Sequence, residues 1–269
     1  VNYNSLAHRT TWLRSDFKMM IQFGSSIYMI LGTKELIDDE RLWREEFIVP
    51  GLCDISAGTN TAGSLTKWYR DTIFPDAKEL ESQGGLDAYQ TMAEGIGEIP
   101  PGSDGLITLP YFAGERTPIN DPSAKGILFG LDLSHTRLHM YRSALESVGY
   151  SVNQQIRIMV SHDVPIDQIF AVGGGVKNKV WMQIVADITG KKISTPKIPV
   201  GASFGVALMA ASGIKHPGFE SFAALTNFIK PGGTYIPNMD NHKIYEKYQE
   251  IYDELYPATK DLMHRLDNL

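Results

Sequence analysis

The sequence predicts an α/β domain in which helices pack against a mixed sheet, and three observations predict it. Short apolar runs at 18–23, 27–31, 168–172 and 192–195 have the length and character of strands. Between them lie apolar residues at 3,4 spacing, the longest series being Leu138, Tyr141, Leu145, Val148, Val152, Ile156 and Met159. Glycine clusters at Gly24 and at Gly173, Gly174 and Gly175 mark the points where a strand ends. Strands alternating with helices over this length build a sheet with helices laid against it.

Taken in order, 18–23 and 27–31 flank Gly24-Ser25-Ser26 and read as a β-hairpin. The stretch 46–55 is apolar but broken by Pro50-Gly51, which suits an edge strand or a bulge. From Thr61 the period changes: Leu65, Trp68, Tyr69 and Ile73 are expected on one helical face, with Pro75 as the stop. A short helix follows at 86–95, then a strand at 105–112 that becomes a loop at Gly114. The long helix from Leu138 has Ser134 or Thr136 as its cap. After the strand 168–172 and the triple glycine, Trp181, Ile184, Val185 and Ile188 mark one face of another helix. A strand at 192–195 and a Gly/Ala-rich helix at 201–212 come next. A loop with Pro231-Gly232-Gly233 and Pro237 leads to a closing amphipathic helix carrying Tyr245, Tyr248, Tyr252, Leu255 and Tyr256.

Composition narrows the function classes. The 269 residues, 43% hydrophobic and 21% charged, describe a globular chain. A net charge of −6 argues against a nucleic-acid partner, since that binding neutralises phosphates with a basic face. The single cysteine, Cys53, excludes an internal disulfide and any cysteine-rich zinc site, so a reducing cytoplasm fits best; in its apolar stretch it reads as a small buried hydrophobe. The seven histidines show no metal-ligand spacing. No apolar run reaches the roughly 18 to 20 residues that span a bilayer, so no membrane association is expected.

Two segments have the chemistry of a phosphate or nucleotide site. Gly24-Ser25-Ser26 places backbone amides and two hydroxyls in a turn where phosphate oxygens can approach, although glycine and serine are also ordinary turn residues. The second is the strand, triple glycine and helix start around Gly173-Gly174-Gly175-Val176-Lys177-Asn178. It fails the Gly-x-Gly-x-x-Gly dinucleotide pattern at Asn178 and has no Gly-Lys-Ser/Thr ending. What remains is bare backbone against which a flat ring or ribose can lie, with the Asn178 amide in the first turn, or else tight strand–helix packing. A third polar loop, Gly114-Glu115-Arg116-Thr117-Pro118-Ile119-Asn120-Asp121-Pro122, either contacts ligand or closes an internal ion-pair network among Glu115, Arg116 and Asp121.

The order of these pieces resembles the C-terminal half of the FGGY carbohydrate kinases, with xylulokinase-like members most similar. The resemblance runs through MMIQFGSSIYMILG, SAGTNTAGSLTKWYRD, LPYFAGERTPINDPSAKGILFGLDLSHTR, FAVGGGVKNKVWMQIVADITGKKI and VGASFGVALMAA. It implies an actin-like, ribonuclease-H-like ATPase fold, with residues 17–269 as the ATP-binding domain and 1–16 as a remnant of the interdomain region. Its residues carry over as Gly24, Ser25 and Ser26 touching the terminal phosphates, Gly63 lining the phosphate path, and Gly174, Gly175 and Asn178 holding the adenosine. ATP and Mg2+ are the implied cofactors. The implied sugar substrate is bound mainly by the N-terminal domain, and a homodimer is an allowed assembly.

The family's catalytic base is an aspartate about twenty residues before the phosphate hairpin. That count falls at or before Val1, where Val1, Asn2, Tyr3 and Asn4 offer no acid, and Asp16 matches a turn residue instead. The base is therefore expected upstream of Val1, and the chain alone is expected to bind nucleotide without transferring phosphate. A catalytically silent nucleotide-binding or regulatory domain is the alternative.

Overall fold

The computed structural model describes residues 18–47, 51–198, 202–219, 222–225 and 228–269. Asp16 and the rest of the first 17 residues lie outside this set, as do Pro50 and Gly201. A seven-stranded mixed sheet is formed by β1 (Lys18–Phe23), β2 (Ile27–Thr33), β3 (Trp43–Glu46), β4 (Cys53–Ala57), β7 (Gln168–Val172), β8 (Lys192–Pro196) and β9 (Pro231–Tyr235). The intervening β5 (Ile107–Leu109) and β6 (Ile127–Phe129) form a separate antiparallel pair. In space the large sheet runs β3-β4-β2-β1-β7-β8-β9.

The hairpin predicted from 18–31 is present, with Met19 opposite Leu31 and Phe23 opposite Ile27. On its other side β1 pairs parallel with β7, Gln22 opposite Val172, and β7 pairs parallel with β8. The sheet therefore switches from antiparallel to parallel at β1. Central strands of this kind are buried on both faces, which is why they read as unbroken apolar runs. Met19, Ile21 and Phe23 enter the main core, while Met20, Ile30, Phe47 and Val172 form a smaller cluster.

Helices α1 (Gly63–Thr72), α2 (Pro75–Ser82) and α3 (Ala88–Ala93) follow β4. The long α4 (Arg137–Val160) precedes β7, and α5 (Lys179–Thr189) joins β7 to β8. The helices α6 (Ala202–Gly213), α7 (Phe222–Leu225) and α8 (Met239–Asp267) complete the chain. Thr136 caps α4 in a capping box with His139, so of the two proposed caps the threonine serves.

Several expectations are corrected. The 46–55 stretch is not one edge strand: it holds only the last residue of edge strand β3 and the first three of β4, which lies inside the sheet. As expected α1 ends before Pro75, at Thr72, and Pro75 in addition opens α2 at its first turn, where its missing N–H costs nothing. Trp68 is not on the buried face of α1: Leu65, Thr66 and Tyr69 are, and Trp68 packs its edge on Phe112 with centroids 5.2 Å apart. The strand expected at 105–112 is limited to Ile107–Leu109 and lies outside the large sheet. Pro231-Gly232-Gly233, read as loop, begins edge strand β9, where a residue without an N–H is tolerated. Cys53 is half-buried.

The closing helix α8 lays Tyr245, Gln249, Tyr252, Leu255 and Tyr256 on the domain as expected. Its anchor is polar. Glu146 of α4, 1% exposed, accepts hydrogen bonds from the Arg142 guanidinium at 2.8 Å, the Tyr245 hydroxyl at 2.9 Å, the Ser103 hydroxyl at 2.8 Å and the Gly102 amide at 3.1 Å. Burial pushes its carboxyl up, against the pull of Arg142 and the hydroxyls. Removing one member of such a set strands the others without solvent. Glu146→Ala should therefore cost about 3–5 kcal/mol in urea unfolding, and Ser103→Ala about 1 kcal/mol.

Candidate functional site

Because β1 and β7 are parallel neighbours, Phe23-Gly24 and Gly173-Gly174 leave the sheet side by side, at the switch point where the strand order runs outward both ways, through β2 on one side and β8 on the other. The carboxyl ends of strands at such a switch are where open α/β sheets bind ligands. A cavity of about 920 Å³ opens there. Gly24, Ser25, Gly63, Gly174, Gly175 and Asn178 all line it. Ser26 does not; it is half-buried, and its carbonyl accepts the Gly24 amide at 3.0 Å.

The hairpin is fixed from α1. The Gly63 amide donates to the Gly24 carbonyl, and the Ala62 and Ser64 amides donate to the Ser25 carbonyl, all at 3.0 Å. The Ser64 hydroxyl adds a bond to the same Ser25 carbonyl at 2.8 Å. A β-carbon on Gly63 would sit 2.5 Å from the Gly24 oxygen, so only glycine allows this approach. The first amides of α1 are thus spent on protein carbonyls. In the hairpin this leaves Ser25 exposed at the cavity wall and Ser26 half-buried, while Gly63 allows the close approach of α1.

The glycine loop is a 3-10 turn, Gly174–Lys177, and not the start of the helix. Gly173 has φ +97°, and a β-carbon there would lie 2.6 Å from the Phe23 carbonyl oxygen. One on Gly175 would lie 2.8 Å from the Phe23 β-carbon and 2.9 Å from the Trp181 ring. Gly174 differs: nothing stands within 4 Å of its absent side chain. Asn178 is the N-cap of α5 and not a first-turn residue, its Oδ1 accepting the Trp181 amide at 3.0 Å. Its amide nitrogen is the donor left over, within reach of the Tyr141 hydroxyl. Trp181 packs edge-on to Phe23 at 5.3 Å and donates its ring N–H to the Leu145 carbonyl at 3.1 Å.

Other lining residues carry no sequence motif. Asp87, Tyr89, Gln90 and Glu94 come from α3 and its ends, Tyr141 from α4, and Lys67 from α1. Lys177 and Lys179 flank the glycine loop and were legible beside it. Lys67 pairs with Asp71 at 2.6 Å. No group of three or more possible metal-ligating side chains occurs among the described residues.

The Gly114–Pro118 loop is a buried hydrogen-bonding hub and not the expected ion-pair network. Glu115, 2% exposed, accepts bonds from the Thr59 hydroxyl, the Asn60 amide at 3.0 Å and the Arg116 amide at 2.6 Å. The Arg116 guanidinium turns to the Thr59 carbonyl at 3.1 Å and the Ile27 carbonyl at 3.4 Å, and lies over the Trp43 ring. Asp121 instead meets Tyr256 and His264, both at 2.7 Å. Burial pushes the Glu115 carboxyl up to about 7, with the Thr59, Arg116 and Asn60 bonds pulling the other way. Arg116 is the cation beside it, and Tyr111 and Tyr252 are titratable groups that feel its charge.

These features define the class: an actin-like, ribonuclease-H-like α/β domain with a cavity at the strand switch. The chain belongs to the FGGY family of carbohydrate kinases, whose C-terminal domain matches residues 19–214. It is 33% identical over 205 residues to a xylulose kinase of Staphylococcus epidermidis, covering 76% of this chain and 39% of that protein. It is 32% identical over 216 residues to a gluconokinase of Bacillus subtilis, covering 80% and 40%. The crystal structure of xylulose kinase from Rhodospirillum rubrum superposes with a TM-score of 0.81 at 27% identity, covering 96% of this chain and 50% of that one. The chain thus spans about two fifths to one half of these relatives' length.

Two outcomes are expected. Gly174→Ala should change stability by less than about 0.5 kcal/mol, whereas Gly175→Ala should cost about 1–3 kcal/mol through overpacking against Phe23 and Trp181, both read from denaturant unfolding. The raised Glu115 value means the folded chain holds that proton more tightly than the unfolded one. The associated stability is present below about pH 4.5 and is lost as pH rises through about 7. Glu115→Gln, which has no such ionisation, should gain on the native chain by about 3 kcal/mol between pH 4.5 and pH 8 in unfolding measurements.

Proposed function

We propose that this chain is the ATP-binding half of a sugar kinase that transfers the γ-phosphate of MgATP to a hydroxyl of a ketose such as xylulose. One observation carries the reading: the hairpin and the glycine loop, far apart in sequence, share one cavity whose size falls in the range of small-molecule sites. Membership of the FGGY family supplies the reaction class. The xylulose kinases and gluconokinase among the relatives make a sugar or sugar acid the acceptor class.

The arrangement suits a nucleotide in a stated orientation. The terminal phosphates lie at the hairpin, where the amide and hydroxyl of Ser25 at the cavity wall are the donors and Ser26 stands behind that wall in the same turn. A net negative chain can hold them, because backbone dipoles need no surplus of lysine. The adenosine lies over Gly174, whose missing side chain leaves the space, with the Asn178 amide nitrogen as a donor at its edge. Mg2+ enters with the nucleotide as part of the substrate, held by phosphate oxygens and water in keeping with its preference for such ligands. No residue of this chain is assigned to proton abstraction from the sugar, and phosphate transfer by the chain alone is not expected.

Calorimetry on the chain should show one ATP bound, and Gly174→Asp should abolish that binding while unfolding at the same denaturant concentration as the native chain. ADP release should be no faster with xylulose or gluconate than without. Native-like ATP binding by Gly174→Asp would contradict the placement of the adenosine, and sugar-dependent turnover would contradict the missing base.

A further inference from the structure

We infer that Glu115 is a positioning residue for the phosphate-contacting hairpin, acting through the strap Thr59–Asn60–Thr61 that leads into α1; the inference rests on the nucleotide reading proposed above. Glu115 is more than 50 positions from Thr59 and Asn60 in sequence, so these contacts are tertiary and not a local turn. One carboxylate oxygen takes the Thr59 hydroxyl, and the other takes the Asn60 and Arg116 amides. Immediately after the strap, the Ala62, Gly63 and Ser64 amides hold the Gly24 and Ser25 carbonyls.

The strap is tied on its other edge as well. The Thr59 carbonyl accepts the Ile27 amide at 3.1 Å, at the first residue of β2 after the hairpin, and the Arg116 guanidinium bonds the Thr59 and Ile27 carbonyls together. The Thr61 hydroxyl donates to the Pro110 carbonyl. Both ends of the turn, Gly24-Ser25 and Ile27, are therefore braced by one six-residue segment whose carboxylate clamp is Glu115. Glu115 is absent from the cavity wall and touches no ligand space. Its consequence is on geometry: it sets where the Ser25 donors stand relative to the adenosine end of the cavity, which is built on separate contacts at Phe23 and Trp181.

This separation gives the test. In the chain without nucleotide, amide hydrogen exchange in Glu115→Ala should speed up at least about tenfold at Ala62, Gly63 and Ser64, with β7 and β8 unchanged, while Glu115→Gln restores native protection because its amide oxygen still accepts both N–H groups and its NH2 can donate to the Thr59 hydroxyl. Thr59→Val, which removes only the hydroxyl, should give the same local effect and serves if Glu115→Ala does not fold. With ligands, both disruptive variants should lose about tenfold in ATP affinity and stay within about twofold of the native chain for adenosine. Unchanged exchange at 62–64 in Glu115→Ala or Thr59→Val would overturn the inference, as would an equal loss for ATP and adenosine. If the native chain binds neither ligand, the nucleotide reading fails and Glu115 has no phosphates to position, whereas the exchange result still shows whether it braces the hairpin.

Discussion

Everything at the site depends on how closely three backbone segments approach the end of β1. Gly63 lies against the Gly24 carbonyl and Gly173 against the Phe23 carbonyl, at distances where an added β-carbon would overlap the oxygen. Gly175 brings a third contact onto the Phe23 side chain. Phe23 is thus the common seat of the hairpin and the glycine loop. A shift of either segment by the width of a methyl group would break the bonds from Ala62, Gly63 and Ser64 or unseat Trp181. Because interiors are close-packed, each wall of the cavity is fixed by its own contacts, the hairpin by the α1 amides and the glycine loop by Phe23 and Trp181, and the two meet at the end of β1.

Beneath this contact, buried polar groups do what apolar packing alone does less specifically. Glu146 ties α4 to α8 and to the Gly102-Ser103 turn, and Glu115 ties the Gly114–Pro118 loop to the strap before α1. Each carboxylate is nearly inaccessible and each is surrounded by donors, which is the condition under which a buried polar group is tolerable. Directional bonds of this kind select one arrangement of long elements, since a slipped arrangement would leave an acceptor without its donors.

Much of this was legible in sequence. The double-sided burial of β1 and β7 makes continuous apolar runs, and the single-sided burial of α8 makes a tyrosine stripe, so both kinds of element could be read from period alone. The triple glycine stood out because three in a row have few other uses, whereas Gly24 between strands suits an ordinary turn equally and Gly63 came only from the family resemblance. What could not be read was tertiary. Trp68 has the right spacing for a core face yet packs on the flank, and β9 hides in a Pro-Gly-Gly sequence because an edge strand tolerates one. Asp87, Tyr89, Gln90 and Glu94 reach the cavity from a short helix with no motif. Glu115 and Arg116 share a loop with opposite charges and still bind other partners, since the fold offers Thr59, Asn60 and two carbonyls at better positions.

The central claim is that hairpin and glycine loop are the two ends of one nucleotide site. Amide chemical shifts followed during titration with ATP, and separately with adenosine, address it most directly. The account predicts that ATP moves the Gly24, Ser25 and Ser26 resonances together with those of Gly174, Gly175 and Asn178, and that adenosine moves only the second group. Shifts confined to some other surface, or hairpin shifts as large with adenosine as with ATP, would contradict it.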